Sequence, residues 1–415
     1  MLPFAPHPDR NAAIDEAHAR PPVPLAPPLE IAHIAFKAGP EQAGELFRRI
    51  AGFELPSDAR HTLQRVSPSL LLRWQRHTEF HTATLFASGL REAVGVRSTD
   101  IDGLIHFTPD DHPGVELLVA QRIHVVDDLE RMEAILPTDG RLAGGRIRGN
   151  VDVRTTFEPD GRGFVHFWVA ANGIGPEQLG RRIQRLIDIE TYRIMALIAL
   201  PLSRRVSPRV GELERELAEV IRLTGDEDTP DDAILDRLSG LASDAESLRA
   251  ETRYRFSAAH AYFRLVEQRL DTLNEEKAGD FQTLTGFIRT RLTPAISTIE
   301  SVAARQATLS DDLGRALALL RTRVDIAVNR GNQDLLASMD RRQGQQVAIQ
   351  QAVEGLSAVA ITYYAVSLIA YLLAGAEKSG WVPFPYQLGV AIAVPLVFGS
   401  VLLAIRRFRH RWNTE

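Results

Sequence analysis

The sequence predicts a mixed amino-terminal domain, α/β or α+β, followed by long α-helices in a coiled-coil-like stalk and a two-helix transmembrane hairpin at the carboxyl end. Three observations lead there. Two stretches near the end, 355–376 and 379–405, carry no charge; apolar residues take up helical spacing after Gly175; and before Gly175 short strand-like runs alternate with short helical ones. At 415 residues the chain has room for two or three folding units. It has no cysteine, which excludes disulfides, thiolate metal sites and a cysteine nucleophile. Lys+Arg is 48 against Asp+Glu 53, and a net charge of −5 argues against nucleic acid as a partner.

Residues 1–28 are rich in proline and end in RPPVPLAPP, a composition that favours an extended, poorly packed tether. In the cytosolic α/β domain expected over 29–175, residues 41–50 (EQAGELFRRI) read as an amphipathic helix. Residues 70–74, 116–120 and 164–168 read as strands, and Asp160-Gly161 supplies a hairpin turn before the last. Neither GxGxxG nor a phosphate-loop lysine occurs in a strand–turn–helix setting, so nucleotide binding has no motif behind it. The arginine-bearing stretch 139–149 (DGRLAGGRIRG) reads as a solvated hairpin loop, with anion contact as the alternative. His77 and His81 of HTEFH have the spacing of two metal ligands on a helix. Their neighbours favour a strand instead, and the acid at Glu79 does not make an HExxH motif. His106, His124 and His166 read as separate, half-buried imidazoles. With no nucleophile beside a base and no pair of acids, neither enzymatic activity nor a catalytic residue or cofactor is expected, and the sequence leaves metal binding open.

The segment 176–354 reads as a long-helix stalk or bundle. Leu179, Ile183, Leu186, Ile187 and Ile189 open it at helical spacing, and the apolar run 194–201 is too short to span a bilayer and calls for burial. Ser207-Pro208 and Thr229-Pro230-Asp231-Asp232 read as helix starts. The acids Asp226, Glu227, Asp228, Asp231 and Asp232 read as a solvated junction or as a divalent-cation sensor. Breaks are expected at Gly279 and Thr293-Pro294. Leu313, Leu317, Leu320 and Val324, with Ala327 or Val328, form an apolar stripe whose satisfaction by further copies predicts a homo-oligomer.

At 1.5 Å per residue, 355–376 and 388–405 are long enough to cross a lipid bilayer as helices, with the stiff aromatic loop around Trp381 at the headgroups. Arg406, Arg407, Arg409 and Arg411 of the basic tail 406–415 follow the second span, and Arg341 and Arg342 precede the first. The connecting loop has only Lys378 beside Glu377, so both ends are expected in the cytoplasm. The first ten residues show neither a basic nor an apolar leader region, which agrees with a cytosolic amino-terminal part.

The blocks Glu190-Thr-Tyr-Arg193 with MALIALP (195–201), and LLRTRVDIAVNRGNQDLLASMDRR (319–342) leading into VEGLSAVAITYYAVSLIAYLL (353–373), resemble a bacterial family of uncharacterised membrane-anchored proteins, domain of unknown function 3422. The resemblance covers about residues 20–412 and implies a multi-pass protein of the bacterial inner (cytoplasmic) membrane, with no activity to carry over. The order of elements also resembles the CorA-type magnesium transporter superfamily, which implies a pentamer if that likeness extends to assembly. The Gly-Met-Asn signature of those transporters is missing from Leu373-Ala-Gly-Ala-Glu-Lys-Ser379. The leading expectation is a membrane-anchored protein of structural or regulatory role. The alternative is an oligomeric divalent-cation channel, with Thr362 and Ser367 in the pore and Glu377 at its outer mouth, drawn from the polar series Ser357, Thr362, Tyr363 and Ser367.

Overall fold

The computed structural model describes residues 7–11, 13–14, 22–55, 60–88, 112–226, 229–381 and 383–412. His106, Glu227, Asp228 and most of the segment before Pro22 lie outside them. The chain divides into two compact units, residues 1–317 and 318–415.

The first unit is built on a nine-stranded sheet in the order β2-β3-β4-β1-β5-β8-β7-β6-β9. Its strands are β1 (Leu29–Lys37), β2 (His61–Ser67), β3 (Leu70–Arg76), β4 (His81–Ser88), β5 (Glu116–Val126), β6 (Ala143–Ile147), β7 (Val151–Pro159), β8 (Val165–Ala170) and β9 (Glu275–Glu276). Every pairing is antiparallel except β5 with β8, which sets Gln121 opposite Val165 and His124 opposite Trp168. Because side chains alternate along a strand, β1 sends Leu29 and Ile31 to one face and Ala32, Ile34 and Phe36 to the other.

The second face is covered by α1 (Pro40–Ala51) and α2 (Leu129–Ala134). Pro40 sits in the first turn of α1, where its missing N–H costs nothing. Gly52 closes the helix in the left-handed region at φ 82° and donates its N–H to the Arg48 carbonyl. The i, i+3, i+4, i+7 set Ala43, Leu46, Phe47 and Ile50 lies buried against Leu72 and Trp74.

The opposite face carries α3 (Pro176–Leu197), α4 (Ala199–Leu223), α5 (Asp231–Leu273) and the start of α6 (Leu284–Lys378). Ile183, Leu186, Phe256, Leu270, Ile288 and Ile296 share a core with Ile123 and Phe167 of the sheet, so α3, α4, α5 and the start of α6 pack as one body with the strands before Gly175. The apolar run 194–201 is used as expected for burial, with Met195, Ala196 and Ala199 inside.

Several local expectations are corrected. The tether reading fails at its end, because Val23 and Leu25 are buried and Leu25 N–H bonds the Pro176 carbonyl. Gly180 makes this possible, since a Cβ there would lie 2.0 Å from the Val23 carbonyl oxygen. Pro208 lies inside α4 and Pro294 inside α6, where helix breaks are expected. Burial of Val206, Val210 and Leu213 around the first, and of Leu292, Ile296 and Ile299 around the second, outweighs the lost backbone bond. Asp231 does open α5 with acids in its first turn, and the break near Gly279 falls between α5 and α6. The loop expected at 139–149 contains β6, inserted between β7 and β9. At Gly144 a Cβ would meet the Val153 carbonyl oxygen at 2.0 Å, so the glycine answers close strand approach rather than looseness. Two of its arginines have local duties: Arg146 Nε donates to Asp152 at 3.3 Å and Arg148 to the Thr272 carbonyl. His77 and His81 flank a tight turn between β3 and β4, with His77 N–H bonded to the Phe80 carbonyl, so they do not share a strand face.

Glu275 joins the edge of the sheet to α6. Its backbone pairs with Ile147, while its carboxylate oxygens accept the first amides of α6, from Leu284 at 2.7 Å and Thr285 at 2.8 Å.

The second unit holds the rest of α6 and α7 (Tyr386–Trp412). The first apolar helix ends as a Schellman turn: Gly380 at φ 76° donates to the Glu377 carbonyl and Trp381 to that of Ala376. Both helices are long and apolar enough to cross a membrane.

Candidate functional site

Two arrangements stand out, one in each unit. In the second unit, α6 and α7 enclose a groove of about 400 Å³ lined mainly by Val359, Val366, Val390, Val394 and Phe398. Thr362 and Ser367 both open onto it, so two of the three residues singled out in the sequence come together. Thr362 is 8% exposed and returns its hydroxyl to the Ala358 carbonyl of its own helix at 2.7 Å. Glu377 is apart from them at the end of α6, where its carboxylate receives the Tyr386 N–H at 3.4 Å and so links the two helix ends. Around this narrow seam the outward side chains are apolar and uncovered: Leu356 is 77% exposed, Tyr371 79% and Leu403 67%.

In the first unit, the parallel pairing of β5 with β8 brings His124 beside His166. Their rings stack at 5.3 Å, 8° from parallel, with Trp168 against both. His124 Nε2 is 3.0 Å from His166 Nδ1, and His166 Nε2 is 3.0 Å from Asp160 Oδ2. The other Asp160 oxygen accepts the N–H groups of Arg162 and Phe164, which builds the turn expected at Asp160-Gly161. Burial works against a charge on Asp160, yet the bonds from His166, Phe164 and Arg162 outweigh it and hold the carboxyl below its usual range. An ionised carboxylate only accepts, so His166 donates to Asp160 through Nε2. Burial, then His166 and Arg122, push His124 down to about 3. The arrangement is an ordered hydrogen-bond chain that ends on the Asp160 carboxylate. Among the described residues no three His, Asp or Glu side chains gather as a metal set.

The sequence treats these histidines as separate. The only signal was that each breaks the apolar alternation of its strand toward the same side as a neighbouring polar or aromatic residue, Arg122 for one and Trp168 for the other.

His33 behaves similarly in the opposite face of the sheet. It is 2% exposed, holds Thr84 Oγ1 at 2.8 Å and Thr191 Oγ1 at 3.2 Å, and is pushed down to about 3 by burial, Arg73 and His77. Both histidines therefore bind a proton near pH 6.5 when unfolded and only near 3 when folded. Their contribution to stability is full above about pH 7 and falls as the pH drops through 6.5, by roughly 1 kcal/mol per pH unit for each. Denaturant unfolding at pH 7.5, 6 and 5 should show this decline, and His124→Gln should make it shallower.

The profile of the family described as Protein of unknown function (DUF3422) matches residues 5–412, taking in the sheet, the long helices and the apolar pair. The chain belongs to this family. No curated protein matches this DUF3422 chain.

Proposed function

We propose that this DUF3422 protein is a membrane-anchored protein of structural or regulatory role, in the cytoplasmic membrane of a bacterium. Segments 355–376 and 388–405 cross the bilayer, and the folded unit and both termini lie on the cytoplasmic side. The observation that carries this reading is the uncovered apolar surface around both helices of the second unit. Arginines after the second span and the nearly neutral loop between the spans give the orientation.

Self-association belongs to the same reading. Leu313 and Leu320 are already buried within one chain, which removes them from the stripe available to further copies. Farther along α6, Val328, Leu335 and Ile349 recur at multiples of seven and are 56%, 60% and 66% exposed, a spacing suited to pairing with the same helix of another copy. The divalent-cation channel is the weaker reading. Thr362 and Ser367 open onto a seam closed by α7 of the same chain, Glu377 joins the helix ends, and the magnesium-transporter likeness rests on element order without the Gly-Met-Asn signature.

Topology tests the anchor directly, because the chain has no cysteine. Ser379→Cys should react with a membrane-impermeant maleimide added to spheroplasts, and Asn413→Cys should react only after permeabilisation. Labelling of Asn413→Cys in intact spheroplasts would overturn the orientation.

A further inference from the structure

Between α5 and α6 an open groove of about 500 Å³ runs along the first unit. Its floor is apolar, made by Phe256 of α5 and by Ile296 and Ile299 of α6, and the two helices are tied beneath it by the Thr252 hydroxyl, which donates to Gln306 at 3.0 Å. Small residues widen the mouth, Ser257 and Ala261 on one helix and Ala303 and Ala307 on the other. The rim is basic. Arg249, Arg253, His260 and Arg264 follow one another at spacings of four, seven and four along α5, which sets them on one face of that helix. Among the described residues the one carboxylate in the lining is Glu300, which meets His260 at 3.0 Å. Arg249 reaches Glu246 at 3.4 Å, one turn back on its own helix. Arg253 and Arg264 are exposed and engage no carboxylate among the described residues.

We infer that this groove receives an acidic amphipathic helix from a partner protein. Two helices lying side by side leave a furrow that a third can fill, its apolar side chains entering between them. The small residues at the mouth let its backbone come close. Charge selects the partner: carboxylates on the flank of the incoming helix nearest α5 meet Arg253 and Arg264, and planar guanidiniums suit carboxylates in paired hydrogen bonds. Those two arginines are eleven residues apart, about 16 Å of helix, so a partner of about four turns spans both. The chain's own acidic helix does not supply these charges, because Glu212, Glu214 and Glu219 of α4 are already paired with Arg209, Arg305 and Arg237. The groove lies wholly within the first unit, so its occupancy does not depend on whether the second is embedded in lipid.

The test uses the full chain in detergent micelles, with binding read as fluorescence anisotropy above an empty-micelle baseline. The probes are two labelled synthetic helices of about four turns that share a leucine and alanine face, one bearing glutamate on its flanks and the other lysine, together with a scrambled form of the acidic one. The acidic helix should bind saturably and about tenfold tighter than either of the others. Arg253→Glu combined with Arg264→Glu, both at exposed positions, should invert the preference so that the lysine helix binds the tighter, while leaving the unfolding temperature unchanged. Ala307→Trp, also at an exposed position, should obstruct the groove and weaken the acidic helix by about tenfold. Absence of saturable binding of the acidic helix would overturn the inference. So would equal binding of the lysine helix, or indifference to the charge reversal. A reversal that lowers the mass of the assembly in light scattering, with helix binding unchanged, would also overturn it and assign the groove to a second copy of the chain.

Discussion

Arginine at Leu368 and Leu372, combined with arginine at Ile392 and Leu396, should remove the chain from the carbonate-washed membrane fraction. All four side chains are more than 60% exposed, pointing away from the seam between the two helices. If lipid is what covers them, each arginine placed mid-span costs about 2.5–3.5 kcal/mol of insertion free energy. Two per helix then offset most of what an apolar segment of this length gains. Both helices must be altered, since either could hold the chain alone. The matched control is arginine at Leu335 and Leu336, equally exposed but before the apolar segment, which should leave the chain in the membrane.

Arg122→Ala should destabilise the first unit by about 3–5 kcal/mol, read as a lower midpoint in denaturant unfolding of the solubilised protein. Arg122 and Glu30 meet at 2.9 Å with side chains only 11% and 9% exposed, and the guanidinium also lies 5.2 Å over the Phe164 ring. Removing the arginine strands the Glu30 carboxylate among Ala32, Ile34 and the other apolar side chains of that face, without its counter-charge. Replacing both partners with leucine should cost far less, because no buried charge is then left alone. Arg122→Lys should fall between, keeping the charge but losing the planar group over Phe164.

The two apolar helices were legible in the sequence because their signal is local: a long uncharged run needs no knowledge of its neighbours. The helix at Pro40–Ala51, the strand at Leu70–Arg76 and the Asp160 turn were legible for the same reason. What escaped was non-local. β6 reads as a loop until β7 and β9 are known to flank it, and the glycines that suggest looseness are what let those strands approach. Pro208 and Pro294 signal helix starts by local chemistry and are overruled by burial on either side. The union of His124 with His166 depends on a parallel register between strands more than forty residues apart, which neither segment encodes alone. Thr362 and Ser367 were chosen as polar residues on one helix, and their meeting in one seam follows from how α7 folds back.

Glu275 serves two masters, its backbone completing the far edge of the sheet and its carboxylate holding the first amides of α6. A local opening that peels β9 from β6 therefore also withdraws the anion from the positive end of that helix. Fraying at the sheet margin is thereby coupled to unwinding at the helix start through one side chain.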